Sequence, residues 1–263
     1  TTLYTPGNPE APFFLNPLKL DNIPAHLQEG YLRHLLAVLL NVYFRDLQLL
    51  SVAGAEYLLL RGLDYLRENK TVFTFKELFF WMLHYQASFR ERDWKSSVLN
   101  VLYKLTTGPL GQVLNHEPCV DLKKLMVSNT LMELHWLGSP NDKAFLMEIF
   151  LLQLYYSFSQ EPPAKGTKFC IIIEEAHNVL LSHLKGYETV IEMVLRQVRE
   201  YGVSICLIDQ HPSLMSLPAL GTFCTICFSL RTERDHKVMA AALALDEPGT
   251  LNALRTGQAI VKL

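Results

Sequence analysis

Apolar positions along the chain fall into two regimes, recurring at helical spacing in the first part and gathering into short continuous runs in the second. From Ala25 to about Thr107, Gly and Pro are scarce, and Leu32, Leu35, Leu36, Leu39 and Leu40 share one helical face. Tyr57, Leu58, Arg61, Tyr65 and Leu66 outline a second amphipathic stretch. A third helix is predicted to start at Thr74, because Glu77 three residues later completes a reciprocal capping box. A fourth covers about Asp93 to Leu105. Four helices without a clear strand predict a helical subdomain over 25–107. Ahead of it, 1–24 is rich in Pro and Asn and reads as extended or looping chain. It contains Phe13-Phe14-Leu15-Asn16-Pro17-Leu18, a short apolar strand stopped by proline.

Past a turn at Gly108-Pro109 and Gly111, strands and helices alternate. Leu131 to Trp136 is a predicted strand, and Ser139 as N-cap with Pro140 at the first helical position opens a helix to about Phe158. Phe169 to Ile173 is the unbroken apolar run expected of a strand buried on both faces of a parallel sheet. Val203 to Ile208 and Thr225 to Leu230 are two more. A helix from about Glu188 to Tyr201 ends at Gly202, another spans about Arg234 to Leu245, and Ala259 to Val261 closes the chain as a strand. The alternation predicts an α/β fold with a mainly parallel sheet over 108–263.

Composition narrows the function classes. At 263 residues and 49% hydrophobic content, the chain can build one large domain or a domain with a sizeable insertion. Lys and Arg number 24 against 26 Asp and Glu, which excludes a global basic field; contact with DNA must be local or created by assembly. The most lipid-like stretch, His34 to Phe44, is bracketed by Arg33 and Arg45 and falls short of the roughly 20 residues a span requires, so a buried helix and no membrane segment are expected. The five cysteines are an odd set, four of them in apolar surroundings, pointing to a reducing cytoplasmic setting. Cys224 and Cys227 have C-x-x-C spacing, but no second pair completes a metal site, and the interleaved Ile226 and Phe228 favour a buried strand. A start at Thr1, without Met or a signal-peptide pattern, suggests a fragment or a processed product.

The chemistry concentrates where the strand Cys170-Ile171-Ile172-Ile173 delivers Glu174-Glu175-Ala176-His177. Ligands of open α/β sheets bind at the C-terminal ends of the strands. In nucleotide hydrolysis, one acid orients the hydration shell of Mg²⁺ and a second orients or deprotonates the attacking water; Glu174 and Glu175 suit those tasks in that order. An exposed acidic strand end is the simpler alternative. The next strand ends in Asp209-Gln210-His211-Pro212-Ser213, placing the Gln210 amide at the same edge, where it could sense a phosphate or hold water, or serve only as a turn residue before Pro212. Arg196 and Arg199 share a helical face and are candidate arginine fingers across a subunit boundary, or members of a solvated face with Glu192 and Glu200.

The run 171–178, then Arg196-x-x-Arg199-x-x-Gly202, then Leu207-Ile208-Asp209-Gln210-His211-Pro212-Ser213, resembles the HerA-type branch of the HerA/FtsK superfamily. Phe228-Ser229-Leu230-Arg231, Arg234-Asp235 and Gly257-Gln258-Ala259 also stand where that family has a strand, a helix start and a last strand. The resemblance covers about Asn129 to Leu263, and Leu15-Asn16-Pro17-Leu18 more loosely. It implies a RecA-like P-loop NTPase core, with 1–24 belonging to it, and an inserted helical bundle at 25–107. It further implies ATP and Mg²⁺ as cofactors and a hexameric ring that couples hydrolysis to movement on double-stranded DNA. Glu175 is then the catalytic glutamate, Gln210 the sensor, Glu174 the Mg²⁺ contact, Arg196 or Arg199 an arginine acting in trans, and Arg231 a further candidate for nucleotide or subunit contact.

Two features depart from that pattern. Glu174 stands where Asp is usual, a longer arm that moves the metal contact outward or routes it through water. No G-x-x-x-x-G-K-[ST] occurs in the sequence, so the chain by itself is expected not to hydrolyse ATP, and the phosphate cradle is expected ahead of Thr1. A non-catalytic RecA-like assembly module and a metal-dependent nuclease built on Glu174 and Glu175 remain competing readings. A nuclease or other effector partner is compatible with the motor reading, but the sequence does not name one.

Overall fold

The computed structural model describes residues 1–44, 49–159, 162–178, 190–215, 217–221, 224–246 and 249–263. It divides into two compact units, Thr1–Pro163 and Ala164–Leu263.

The first unit is built around two long helices, α1 (Ala25–Tyr43) and α7 (Pro140–Phe158), which pack together. The predicted leucine face of α1 is the buried one. α7 is buried nearly all round, as expected of a helix without a polar face. Its Gln153 donates to the Asn16 carbonyl and to Tyr31 Oη, both at 3.2 Å, and Tyr31 Oη donates to Pro17 O at 2.7 Å. Between them in sequence lie α2 (Leu49–Asn69), α3 (Phe75–His84), α4 (Arg92–Thr106), α5 (Gly108–Leu114) and α6 (Leu122–Met126). The predicted capping box is present: Glu77 Oε2 accepts from Thr74 N at 2.8 Å. α2, α3 and α4 pack on one another, and Gly54 permits the close approach: a Cβ there would stand 2.1 Å from the Trp94 ring.

Several expectations for this unit are corrected. Phe13 to Leu18 is buried but not a strand; Asn16 instead bonds Phe73 O, Glu117 and Cys119. The strand lies earlier, β1 (Thr2–Tyr4), parallel to β2 (Thr130–Met132), and β2 is shorter than the predicted Leu131 to Trp136. The Gly108-Pro109 turn is the first turn of α5, where Pro is tolerated because early helical N–H groups lack partners anyway. On α2, Tyr57, Arg61 and Tyr65 face solvent while Leu58 and Leu66 are buried. Arg61 Nη1 donates to Tyr85 Oη at 2.8 Å, and its guanidinium lies 5.1 Å over the Tyr85 ring.

The second unit carries β3 (Phe169–Glu174) and β4 (Val203–Ile208), parallel and in register from Phe169↔Val203 to Glu174↔Ile208. α8 (Val190–Gln197) tightens into a 3-10 turn, Val198–Tyr201, and leads into β4. Gly202 closes it in the left-handed conformation at φ 82°, with Gly166 O where a Cβ would fall, so glycine is required on both counts. The predicted start of this helix at Glu188 lies outside the described residues. α9 (Leu217–Leu220), β5 (Thr225–Cys227), α10 (Glu233–Leu243), α11 (Gly249–Asn252) and β6 (Ile260–Lys262) follow, β5 and β6 pairing antiparallel. Cys227, Met239, Ala240, Leu243 and Leu251 form their core.

Strand pairing among the described residues makes three two-stranded sheets, two parallel and one antiparallel, so the mainly parallel sheet is present only in part. Nor is β3 covered on both faces: Cys170, Ile172 and Glu174 are exposed, and so are Cys206 and Ile208 beside them. An apolar run reports side-chain type, while cover must come from other elements. Cys224 is exposed and only Cys227 is buried, so the C-x-x-C segment is half of the buried strand expected, and Cys170, Cys206 and Cys224 lack the apolar cover read from their neighbours. No helix of the described residues is long and apolar enough to cross a membrane.

Candidate functional site

Alternation along β3 decides where its two acids go. Residues 170, 172 and 174 point to the open face of the β3–β4 pair, so Glu174 continues that row. Glu175 leaves the strand with φ 51°, left-handed backbone that a non-glycine residue adopts at a cost of about 1–2 kcal/mol. A short 3-10 turn, Ala176–Asn178, follows and is closed by Asn178 N donating to Glu175 O at 2.9 Å. The Glu175 carboxylate remains about half exposed, at 48%.

Parallel register sets the ends of β3 and β4 side by side, and four side chains from the two turns, Glu175, His177, Asp209 and Gln210, meet there. Gln210 Nε2 donates to Glu175 Oε1 at 3.2 Å. His177 Nδ1 lies 3.6 Å from Glu175 Oε2 and bonds Asp209 Oδ2 at 2.9 Å. The same Asp209 oxygen accepts from the His177 backbone N at 2.6 Å, and Asp209 Oδ1 accepts from His211 N at 2.5 Å. An ionised carboxylate only accepts, so the proton between the side chains sits on His177 Nδ1.

A second carboxylate anchors the turn after β4 from the other side. Asp235, buried in the first turn of α10, accepts from Ser213 N at 2.9 Å and from Thr232 Oγ1 at 2.5 Å, with His211 Nδ1 at 3.9 Å. Burial pushes its carboxyl up, but the Thr232 hydroxyl, Ser213 and His211 outweigh burial and hold it below its ordinary value. A depressed carboxyl stabilises the fold above its unfolded pKa and loses that contribution as pH falls through the folded one. Asp235→Asn is therefore expected to cost about 1–3 kcal/mol near neutrality. The deficit shrinks below about pH 4. Urea denaturation across pH checks this; a deficit that does not change with pH places the loss elsewhere.

The structure brings Glu175 and Gln210 together. Arg196 and Arg199, both exposed, precede Gly202 and so stand at the start of β4, about 20 Å of strand from its C-terminal end. Arg231 is exposed one residue before Thr232, on the turn that Asp235 anchors. Asp209, His177 and Asp235 were not assigned roles from sequence, although Asp209 ends its strand as Glu174 does and Thr232-x-x-Asp235 has the spacing of a helix cap.

Among the described residues, no group of three or more His, Cys, Asp or Glu gathers as a metal cage. Mg²⁺ does not need one, since it keeps waters and takes one or two carboxylates together with phosphate oxygens. Glu174, an oxygen donor on the open face, fits that mode, with Glu175 beside it.

No family model matches the chain, and no curated protein sequence does. Solved structures do, and they share its mixed helix and strand fold. The chain is similar to VirB4 of Thermoanaerobacter pseudethanolicus, with TM-score 0.69 and 12% identity over 99% of this chain and 75% of that one. It is also similar to the bacterial conjugative coupling protein TrwBdeltaN70 in its unbound monoclinic form, with TM-score 0.67 and 10% identity over 100% and 71%. Plasmid coupling protein TrwB in complex with ADP and Mg²⁺ matches with TM-score 0.52 and 12% identity over 96% and 57%. Identities this low establish a shared fold.

Proposed function

We propose that this chain supplies the water-activating and sensing part of an ATP-driven motor of HerA type that moves on double-stranded DNA. The observation that carries the reading is the Gln210–Glu175 contact at 3.2 Å across the C-terminal edge of a parallel strand pair. A shared fold with a coupling protein solved with ADP and Mg²⁺ supports nucleotide and magnesium as the ligands.

In this reading Glu175 accepts the proton of the attacking water, and Gln210, which can donate and accept, holds that water and reports on the phosphate. Glu174 would hold Mg²⁺, directly or through water, and the bound ion would neutralise charge on the phosphate oxygens. Arg196 or Arg199, a strand length away, acts on a neighbouring subunit's nucleotide in a ring, which we take to be hexameric, and Arg231 contributes at the nucleotide or the subunit boundary. The sequence lacks a G-x-x-x-x-G-K-[ST] cradle, so the phosphate-binding half of the site comes from outside these 263 residues. With net charge −2, DNA contact falls to an assembled pore reading backbone charge.

The full-length protein is expected to hydrolyse ATP only with Mg²⁺ present; no Mg²⁺-dependent phosphate release overturns the reading. The trans role is tested by mixing Arg199→Ala subunits with Glu175→Gln subunits. At equal mixing, about a quarter of wild-type turnover returns, the share of interfaces pairing an intact Glu175 with an intact Arg199. No recovery in rings shown to be mixed removes Arg199 from that role.

A further inference from the structure

We infer that Asp209, acting with His177, is a positioning residue that fixes Glu175 and Gln210 relative to each other. The inference rests on the hydrolytic reading of Glu175. Asp209 and Glu175 divide by exposure: the Asp209 side chain is 5% exposed and that of Glu175 48%. A buried carboxylate saturated with donors does not meet substrate. Asp209 holds the turn after β3 through the His177 backbone N at 2.6 Å and Nδ1 at 2.9 Å. It holds the turn after β4 through His211 N at 2.5 Å. One side chain thus ties together the two turns that carry Glu175 and Gln210.

The clamp has something to hold. Glu175 sits in left-handed backbone, and nothing in its own residue type favours φ 51°. The His177 N–H bond to Asp209 lies two residues on and fixes the course of the turn that begins there. The His177 ring is held with Nδ1 3.6 Å from Glu175 Oε2, while Gln210 holds Oε1, so the carboxylate is flanked on both oxygens. Nδ1–H is committed to Asp209 at the shorter distance, which fixes the ring's place beside Glu175.

The test uses steady-state ATP hydrolysis by the full-length protein, with fluorescent-nucleotide binding and thermal midpoint measured alongside. Asp209→Asn leaves one acceptor oxygen for donors that now share two. It is expected to lower kcat about 100-fold, with KM and nucleotide affinity within about threefold, as for a misplaced reacting group. His177→Ala is expected to lose activity, and His177→Asn, whose Nδ2–H can stand in for Nδ1–H, to recover most of it. Combining Asp209→Asn with His177→Ala is expected to cost little beyond either alone, because both break one unit. Wild-type kcat in Asp209→Asn, or equal loss in His177→Asn and His177→Ala, overturns the inference, and the His177 pair decides it if Asp209→Asn does not fold. Glu175→Gln is run in parallel: if it too keeps wild-type turnover, the hydrolytic reading fails; if it alone is inactive, only the clamp fails.

Discussion

Glu175→Gln is expected to lower ATP turnover by about 10²–10⁴-fold, the usual worth of a general base, while nucleotide binding persists. Gln preserves the length and one acceptor oxygen of the side chain, so the Gln210 contact at 3.2 Å can still form, with either amide oriented to suit. What it removes is the negative charge that, in the proposed reading, draws a proton from water. The change falls on a half-exposed side chain, with backbone already settled at φ 51°, so the fold has little stake in the charge. Turnover and equilibrium nucleotide binding, measured on the same preparation of the full-length protein, separate the two effects. Loss of both points to damage at the turn. Unchanged turnover takes Glu175 out of catalysis and leaves the edge of β3 and β4 as an assembly surface, the competing reading of the same acids.

What could be read in advance was local. The Thr74 and Glu77 cap closes within three residues, so spacing alone discloses it. The leucine face of α1 follows from helical period, and the placement of Glu175 and Gln210 just past two strand ends follows from the apolar runs that precede them. Long-range partners were not legible. Asn16 draws on Phe73, Glu117 and Cys119, 57 to 103 residues away, which turns an apparent strand into buried irregular chain. The amphipathic stretch of Tyr57, Leu58, Arg61, Tyr65 and Leu66 did not say which of its members are covered, and the structure buries Leu58 and Leu66 while the two tyrosines stay about half exposed. The Asp209 clamp needs the register Glu174↔Ile208, which no single-strand pattern encodes. Strand cover was invisible for the same reason, since Ile172 looks the same in sequence whether packed or 64% exposed.

The largest stability effect is expected in the first unit, from Phe145→Ala. Phe145 lies on α7 with no exposed surface and touches two aromatic neighbours: Tyr43 of α1 at 5.3 Å between centroids and Phe75, the first residue of α3, at 6.3 Å. It therefore joins the long central helix both to its partner and to the capped start of the helical bundle. Tyr43 is itself held, donating to Asp142 Oδ1 at 2.7 Å, and cannot swing into the space without giving up that bond. The vacancy would persist as a cavity, and truncation is expected to cost about 3–5 kcal/mol. Phe145→Leu, which refills most of the volume, is expected to cost less than about 1.5 kcal/mol. Urea denaturation of the two variants against wild type gives the comparison. Equal small losses would mean that α1 and α7 close over the site, and the junction would then be softer than its ring contacts imply.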